Sequence, residues 1–168
     1  MHQLRNRTPK LAALYVLLGV LALACFAVPA SAGDIAVIVH PEVGIEDLEF
    51  AELRKIMLGD RQFWASGEKV TLIVAEPVDA GRSVLLERVY NMSEQQFRQY
   101  WISRVFRGEV SEDPKVVISS QGVIEMVSVL AGSIAFVDLD DAPTGVTVLS
   151  IDGVRPGEAG YPLSLDDH

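Results

Sequence analysis

The sequence predicts an α/β sandwich with a mostly parallel sheet. Three observations lead there. Short, continuous apolar runs rich in β-branched residues recur along the chain. Segments of helical period separate them, and turn or cap residues punctuate both. Ile35 to Val39, IAVIV, is the first such run, and its unbroken apolarity suits a strand buried on both faces. His40-Pro41 ends it, because proline restricts the residue before it and has no N–H for a ladder.

A helix follows from about Phe50 to Leu58. Phe50, Leu53, Ile56 and Met57 share one apolar face, and Gly59 stands where a left-handed cap belongs. Phe63 and Trp64 come next, at the start of the strand Lys69 to Ala75, and are expected to plug the open edge of the core together. Glu76 to Ala80 reads as a turn and Gly81 to Tyr90 as a helix. Ser93-Glu94-Gln95-Gln96 has the form of a capping box with Ser93 at the N-cap, and its helix carries Phe97, Trp101 and Val105 on one face. Val116 to Ile118 is a third strand, Val123 to Leu130 a helix closed by Gly132, and Ile134 to Val137 a fourth strand. The remainder, from Ala142, is turn-rich, with a short strand near Thr147 to Ile151.

Residues 1–32 read as a cleavable export signal and 33–168 as one domain. Arg5, Arg7 and Lys10 precede the apolar run Leu11 to Val28, and Ala30-Ser31-Ala32 is a small-residue cleavage signature. A retained membrane anchor is the competing reading of that run. Cys25, the only cysteine, permits a lipid-anchored alternative. Cleavage after Ala32 removes 32 of 168 residues and leaves 136, without a thiol for disulfides, metal ligation or nucleophilic catalysis. It also takes the basic residues from 14 to 11 against 23 acidic ones, moving the net charge from −9 to −12. That balance disfavours nucleic acid and anionic lipid as partners. The expected location is periplasmic or secreted, with no membrane insertion once the signal is removed.

No catalytic constellation, metal site or cofactor motif is expected. The exported chain has two histidines, His40 beside Pro41 and His168 at the terminus. No Ser-His-Asp set, zinc-ligand spacing or P-loop is present. The acidic run Asp138 to Asp141 lacks the glycine and distal glutamate of a calcium loop and reads as a solvated turn.

Several segments, in order, resemble the periplasmic phosphate-binding proteins of ABC transporters, a type II solute-binding fold. IAVIVHP is similar to the family's apolar strand ending in Asn-Pro, and FAELRKIMLGDRQFW to its Leu-x-x-Ile-Phe-x-Gly helix followed by Trp. AGSIAFV resembles Pro-Gly-x-Ile-Gly-Tyr-Val, and IDGVRPGEAGYPLS resembles the Asp-Gly-Val-x-Pro and Tyr-Pro-Leu segments. FRQYWISRVFRG is similar to a Tyr-Trp and Phe-x-Gly signature of small proteins related to that family. The resemblance implies a single lobe of a two-lobed architecture, with half of the usual cleft absent and any ligand held weakly in an open site.

The resemblance also locates the expected ligand site and the place where this sequence departs from it. The family grips phosphate with a Ser-Gly-Thr turn at a helix start, aided by an upstream arginine. Here Ala80-Gly81-Arg82 occupies the turn and Glu76 falls near the arginine position. Gly81 permits close backbone approach, Arg82 offers a guanidinium fork and Ser83 a hydroxyl, whereas Asp79 and Glu76 oppose an anion. The other reading is a plain helix start with Asp79 as N-cap and Arg82 in solvent. Ser119 and Ser120 are further candidate hydroxyls, or simply helix caps. Two functional classes follow. One is an exported solute-binding-like protein that takes phosphate or a related oxyanion weakly, with a membrane transporter as partner. The other is an accessory or sensory interaction domain of the envelope that has kept the fold and lost the ligand.

Overall fold

The computed structural model describes residues 33–75 and 80–165. The segment expected to be an export signal, with Cys25, and Glu76, Asp79 and His168 therefore lie outside the described residues. Strand β1 (Ile35–Val39) leads to β2 (Asp47–Leu48), α1 (Phe50–Met57) and β3 (Thr71–Ala75). Helix α2 (Ala80–Val84) runs on as a π-helical segment (Leu85–Tyr90), followed by α3 (Glu94–Phe106) and β4 (Lys115–Val117). Then come α4 (Ser120–Val129), β5 (Ser133–Asp138), β6 (Thr147–Val148) and β7 (Ser150–Ile151).

Five strands form one sheet in the order β4-β3-β5-β1-β6, while β2 and β7 form a small parallel pair. Strands β3, β4, β5 and β6 point the same way, so the sheet is mostly parallel. Strand β1 is the exception, antiparallel to both β5 and β6. Its continuous apolarity reflects covering layers on both faces, which a central strand needs whatever its direction. Ile35, Val37, Val39, Ile134 and Phe136 enter one core with residues of α1, the π segment and α3. Ala36, Ile38, Ala135 and Val137 enter the other with Val123, Ile124 and Val127 of α4. The alternation along β1 and β5 is the period of two that sends successive side chains to opposite faces.

The local chemistry explains the boundaries. Helix α1 buries Leu53, Ile56 and Met57 and ends where Gly59 takes φ 73°. Ser93 accepts from the Gln96 N–H at 3.3 Å while the Gln96 side chain accepts from the Ser93 N–H at 2.8 Å, completing the capping box of α3. His40 caps the turn after β1 by accepting from the Glu42 N–H.

Some expectations change. Phe63 and Trp64 are not a joint plug. Trp64 is buried and donates through Nε1 to the Gly132 carbonyl at 2.9 Å, whereas Phe63 is 57% exposed. Adjacent residues in an extended segment point to opposite sides, so one of the pair must face out. Val105 also leaves the predicted apolar face of α3, which buries only Phe97 and Trp101. Helix α4 starts three residues before Val123 because Ser119 caps it, accepting from the Gly122 N–H at 3.1 Å. The turn-rich C-terminal stretch is core: Tyr161 and Leu163 are buried, and the Tyr161 hydroxyl donates to the Ile35 carbonyl at 2.9 Å.

Candidate functional site

The strand directions create one favoured place for a ligand. The chain leaving β3 passes to β4 on one side, and the chain leaving β5 passes to β6 on the other. Neighbouring parallel strands whose connections diverge leave a crevice outside their carboxyl ends, where open α/β sheets bind ligands. A pocket of about 50 Å³ lies at this edge, walled by Ile73, Val74 and Ala75 of β3, Phe136, Val137 and Asp138 of β5, and Ile35. Gly81 and Arg82 close it from α2, Leu85, Leu86 and Tyr90 from the π segment, and Ser120 from the first turn of α4.

Three of the five candidate residues named from the sequence thus meet: Gly81, Arg82 and Ser120. The other two do not. Ser83 is exposed on the outer side of α2, in a shallow depression beside Glu87 and Asn91. The Ser119 hydroxyl is committed to the cap of α4. A one-residue step on a helix turns a side chain by about 100°, which separates Ser83 from Arg82.

Arg82 is neither a solvated helix-start residue nor an open fork. Its side chain is only 11% exposed, and Nε and Nη2 both donate to the Glu94 carboxylate at 3.0 Å. The guanidinium also lies 5.1 Å from the centroid of the Phe97 ring. Charge-assisted, two-pronged pairing and ring stacking are the favoured interactions of arginine. The Arg82 hydrogen bonds hold the Glu94 carboxyl below the ordinary glutamate range. A depressed acid stabilises the fold above its unfolded pKa, about 4.3, and loses that contribution as pH falls through the folded value. Wild type should therefore be more stable than Glu94→Gln by a constant margin above about pH 4.3, and the two acid-unfolding curves should draw together as pH falls below that toward the folded value. Parallel curves at all pH values would remove the pair from the stability account.

Glu94, Tyr90 and Asp138 were not among the sequence candidates for a ligand site. Glu94 reads as an ordinary first-turn acid of α3, twelve residues from its partner. Tyr90 reads as the end of an apolar helical stripe, and only its polar tip marks it as unusual. In the sequence Asp138 reads as part of a solvated turn. It ends β5 at the rim of the pocket, while Leu139–Asp141 form a 3₁₀ turn beyond it. Among the described residues, no cluster of three His, Cys, Asp or Glu side chains has metal-ligand geometry, and no helix is long and apolar enough to cross a membrane.

No protein-family model matches the chain, and no curated protein does. Solved structures do. PstS from Borrelia burgdorferi matches with TM-score 0.58 and 23% identity, covering 74% of this chain and 49% of the other. An ABC-type phosphate transport receptor from Vibrio cholerae matches with TM-score 0.57 and 12% identity, covering 74% and 48%. A phosphate-bound protein from Clostridium perfringens, assigned to phosphate ABC transporter substrate binding, matches with TM-score 0.59 and 16% identity, covering 74% and 47%. The chain has the fold of one lobe of the phosphate ABC transporter substrate-binding proteins and spans about half the length of those it matches.

Proposed function

We propose that this protein is an exported, solute-binding-like domain that takes phosphate or a related small oxyanion weakly in the pocket at the carboxyl ends of β3 and β5. One observation carries the reading. Gly81, Arg82 and Ser120, from two different helices, converge at the carboxyl edge of the sheet in a pocket with room for a few water-sized groups. Ser120 lies in the first turn of a ten-residue helix, where unsatisfied N–H groups and the helix dipole favour negative charge. The solved structures with the same fold include a phosphate-bound protein and a phosphate transport receptor, and their binding role fits a non-enzymatic domain.

Two features argue that binding is weak. The Arg82 fork already holds Glu94, so an incoming anion must compete with a carboxylate for it. The pocket is also not fully enclosed by the described residues, and a solvated site weakens every charged hydrogen bond. A Kd of about 1 mM, near −4 kcal/mol, is expected for phosphate. Titration calorimetry on the full chain, produced with its own N-terminal segment, measures it. Arg82→Ala should weaken binding by about 10- to 100-fold, the value of one charge-assisted hydrogen-bonding group. Wild-type protein that releases no heat with phosphate or sulfate at concentrations about tenfold above that Kd would sink the reading.

A second reading, an envelope interaction domain that has lost its ligand, is favoured by a different observation. Ile102 and Phe106 of α3 and Val116 of β4 are exposed and line a groove of about 470 Å³. Exposed apolar surface gathered in one place is a recognised mark of a partner site. Here the expected partner is a membrane transporter or another envelope protein. Phosphate binding by wild type with no cross-linked envelope partner would decide against this reading.

A further inference from the structure

Three tyrosine rings pack within the first core, and two of them place their hydroxyls. Tyr161 donates to the Ile35 carbonyl at 2.9 Å, and Tyr100 donates to the Leu58 carbonyl at 2.8 Å. The third, Tyr90, is 4% exposed, and its hydroxyl is buried with no hydrogen-bond partner among the described residues. A buried phenol ordinarily finds a partner, and leaving it without one costs the desolvation of the group. Phenylalanine would fill the same space without that cost. Packing therefore accounts for the ring, which meets Phe97 edge to face at 4.7 Å, and leaves the oxygen unexplained.

The position of Tyr90 supplies the explanation. It is the last residue of the π-helical segment, which ends at Asn91 in the left-handed region, φ 53°. Such widened turns recur at functional sites. Here the segment sends Leu85, Leu86 and Tyr90 together onto the pocket that Arg82 and Ser120 also line. Burial raises the Tyr90 pKa well above the ordinary tyrosine value, so the hydroxyl remains a donor. Tyr90 lines the same small pocket as Arg82, and a phenol donor paired with a guanidinium residue is matched by an oxygen atom that accepts and carries negative charge. Because Nε and Nη2 of Arg82 are engaged by Glu94, the site needs a second donor for such an oxygen.

We infer that Tyr90 is a ligand-binding residue of this pocket, its hydroxyl donating a hydrogen bond to an oxygen of the bound oxyanion. The inference rests on the oxyanion reading above and adds to it a residue outside the helix-start turn. It assigns Arg82 the charge, Ser120 the helix-end contact and Tyr90 the buried donor.

Tyr90→Phe tests it, because the substitution keeps the ring and removes only the oxygen. Phosphate and sulfate are titrated calorimetrically into the full chain, wild type, Tyr90→Phe and Arg82→Ala, and thermal unfolding is followed without ligand. The expected result is an unchanged or raised midpoint for ligand-free Tyr90→Phe, with oxyanion affinity about tenfold lower than wild type. Tyr90→Phe binding as tightly as wild type, while Arg82→Ala binds more weakly, overturns the role of Tyr90 and leaves the oxyanion reading intact. A lowered midpoint of ligand-free Tyr90→Phe shows that the hydroxyl serves the fold, through a trapped water for example, and also overturns it. No oxyanion binding by wild type overturns both.

Discussion

Trp64→Ala is expected to lower the free energy of unfolding by about 3–5 kcal/mol, the range for removing a large buried aromatic side chain. Trp64 is 4% exposed and belongs to the core built on β1, α1 and α3. Its indole donates to the Gly132 carbonyl, but that oxygen also accepts from the Thr71 N–H at 3.0 Å. The loss is therefore mainly cavity and contact area, with the hydrogen bond a smaller part. Trp64→Phe separates the two by keeping most of the volume and removing the donor, at an expected cost of about 1 kcal/mol for the hydrogen bond plus a small cavity. Phe63→Ala is the internal control. An exposed side chain at the next position should change stability by no more than about 0.5 kcal/mol. Denaturant unfolding of the three variants reads all of this. Equal losses for Phe63→Ala and Trp64→Ala would contradict the division of labour within the pair.

Gly132→Ala is the second large effect, at about 2–5 kcal/mol. Gly132 has φ 70°, and a Cβ added there would stand 2.2 Å from the Lys69 carbonyl oxygen and 3.0 Å from Cγ of Glu68. The left-handed conformation accounts for about 1–2 kcal/mol and the forced displacement for about 1–3 kcal/mol. The Lys69 carbonyl cannot rotate away, since it is backbone just before β3, whereas the Glu68 side chain can shift. Gly67 offers the comparison, with φ 88° and nothing within 4 Å of an added Cβ. Gly67→Ala should show only the conformational part. If both glycine variants lose equal stability, the close approach at Gly132 is not what the fold depends on. Trp64 and Gly132 share a hydrogen bond, so their double variant should fall short of the sum of the singles.

The sites of these two substitutions mark how far residue-level reading reaches. The helix from Phe50, its end at Gly59 and the capping box at Ser93 were all legible, because each is a local event within a few residues. The helix expected to close on Gly132 instead ends at Leu130 in an extended conformation, with Gly132 in the turn beyond. The short strands were legible as apolar runs, within one or two residues at their ends. The pairing of β2 with β7 was not, since Asp47 and Leu48 carry no strand-like run and their partners Ser150 and Ile151 are about a hundred residues away. Nor was the burial of Tyr161 and Leu163, in a stretch whose composition is that of turns.

The candidate site divides in the same way. Gly81, Arg82 and Ser120 were identifiable as residue types suited to an anion, and the structure gathers them in one pocket. Ser83 and Ser119 have the same chemistry but point elsewhere or cap a helix, which depends on side-chain direction and not on residue type. Glu94 and Phe97 reach Arg82 only because α3 folds back across α2, and nothing in the spacing of a first-turn acid announces that contact.

By itself the sequence determined the α/β layering, the helix ends and the repertoire of polar groups near the helix starts, since period, caps and residue chemistry are properties of short segments. Only the tertiary structure decided the direction of β1, which member of the Phe63-Trp64 pair is buried, and what faces what in the pocket. Those depend on the order of strands in the sheet and on chain returning from far along the sequence. The pairing of Arg82 with Glu94 and the Tyr90 hydroxyl, which has no partner among the described residues, belong to that second class.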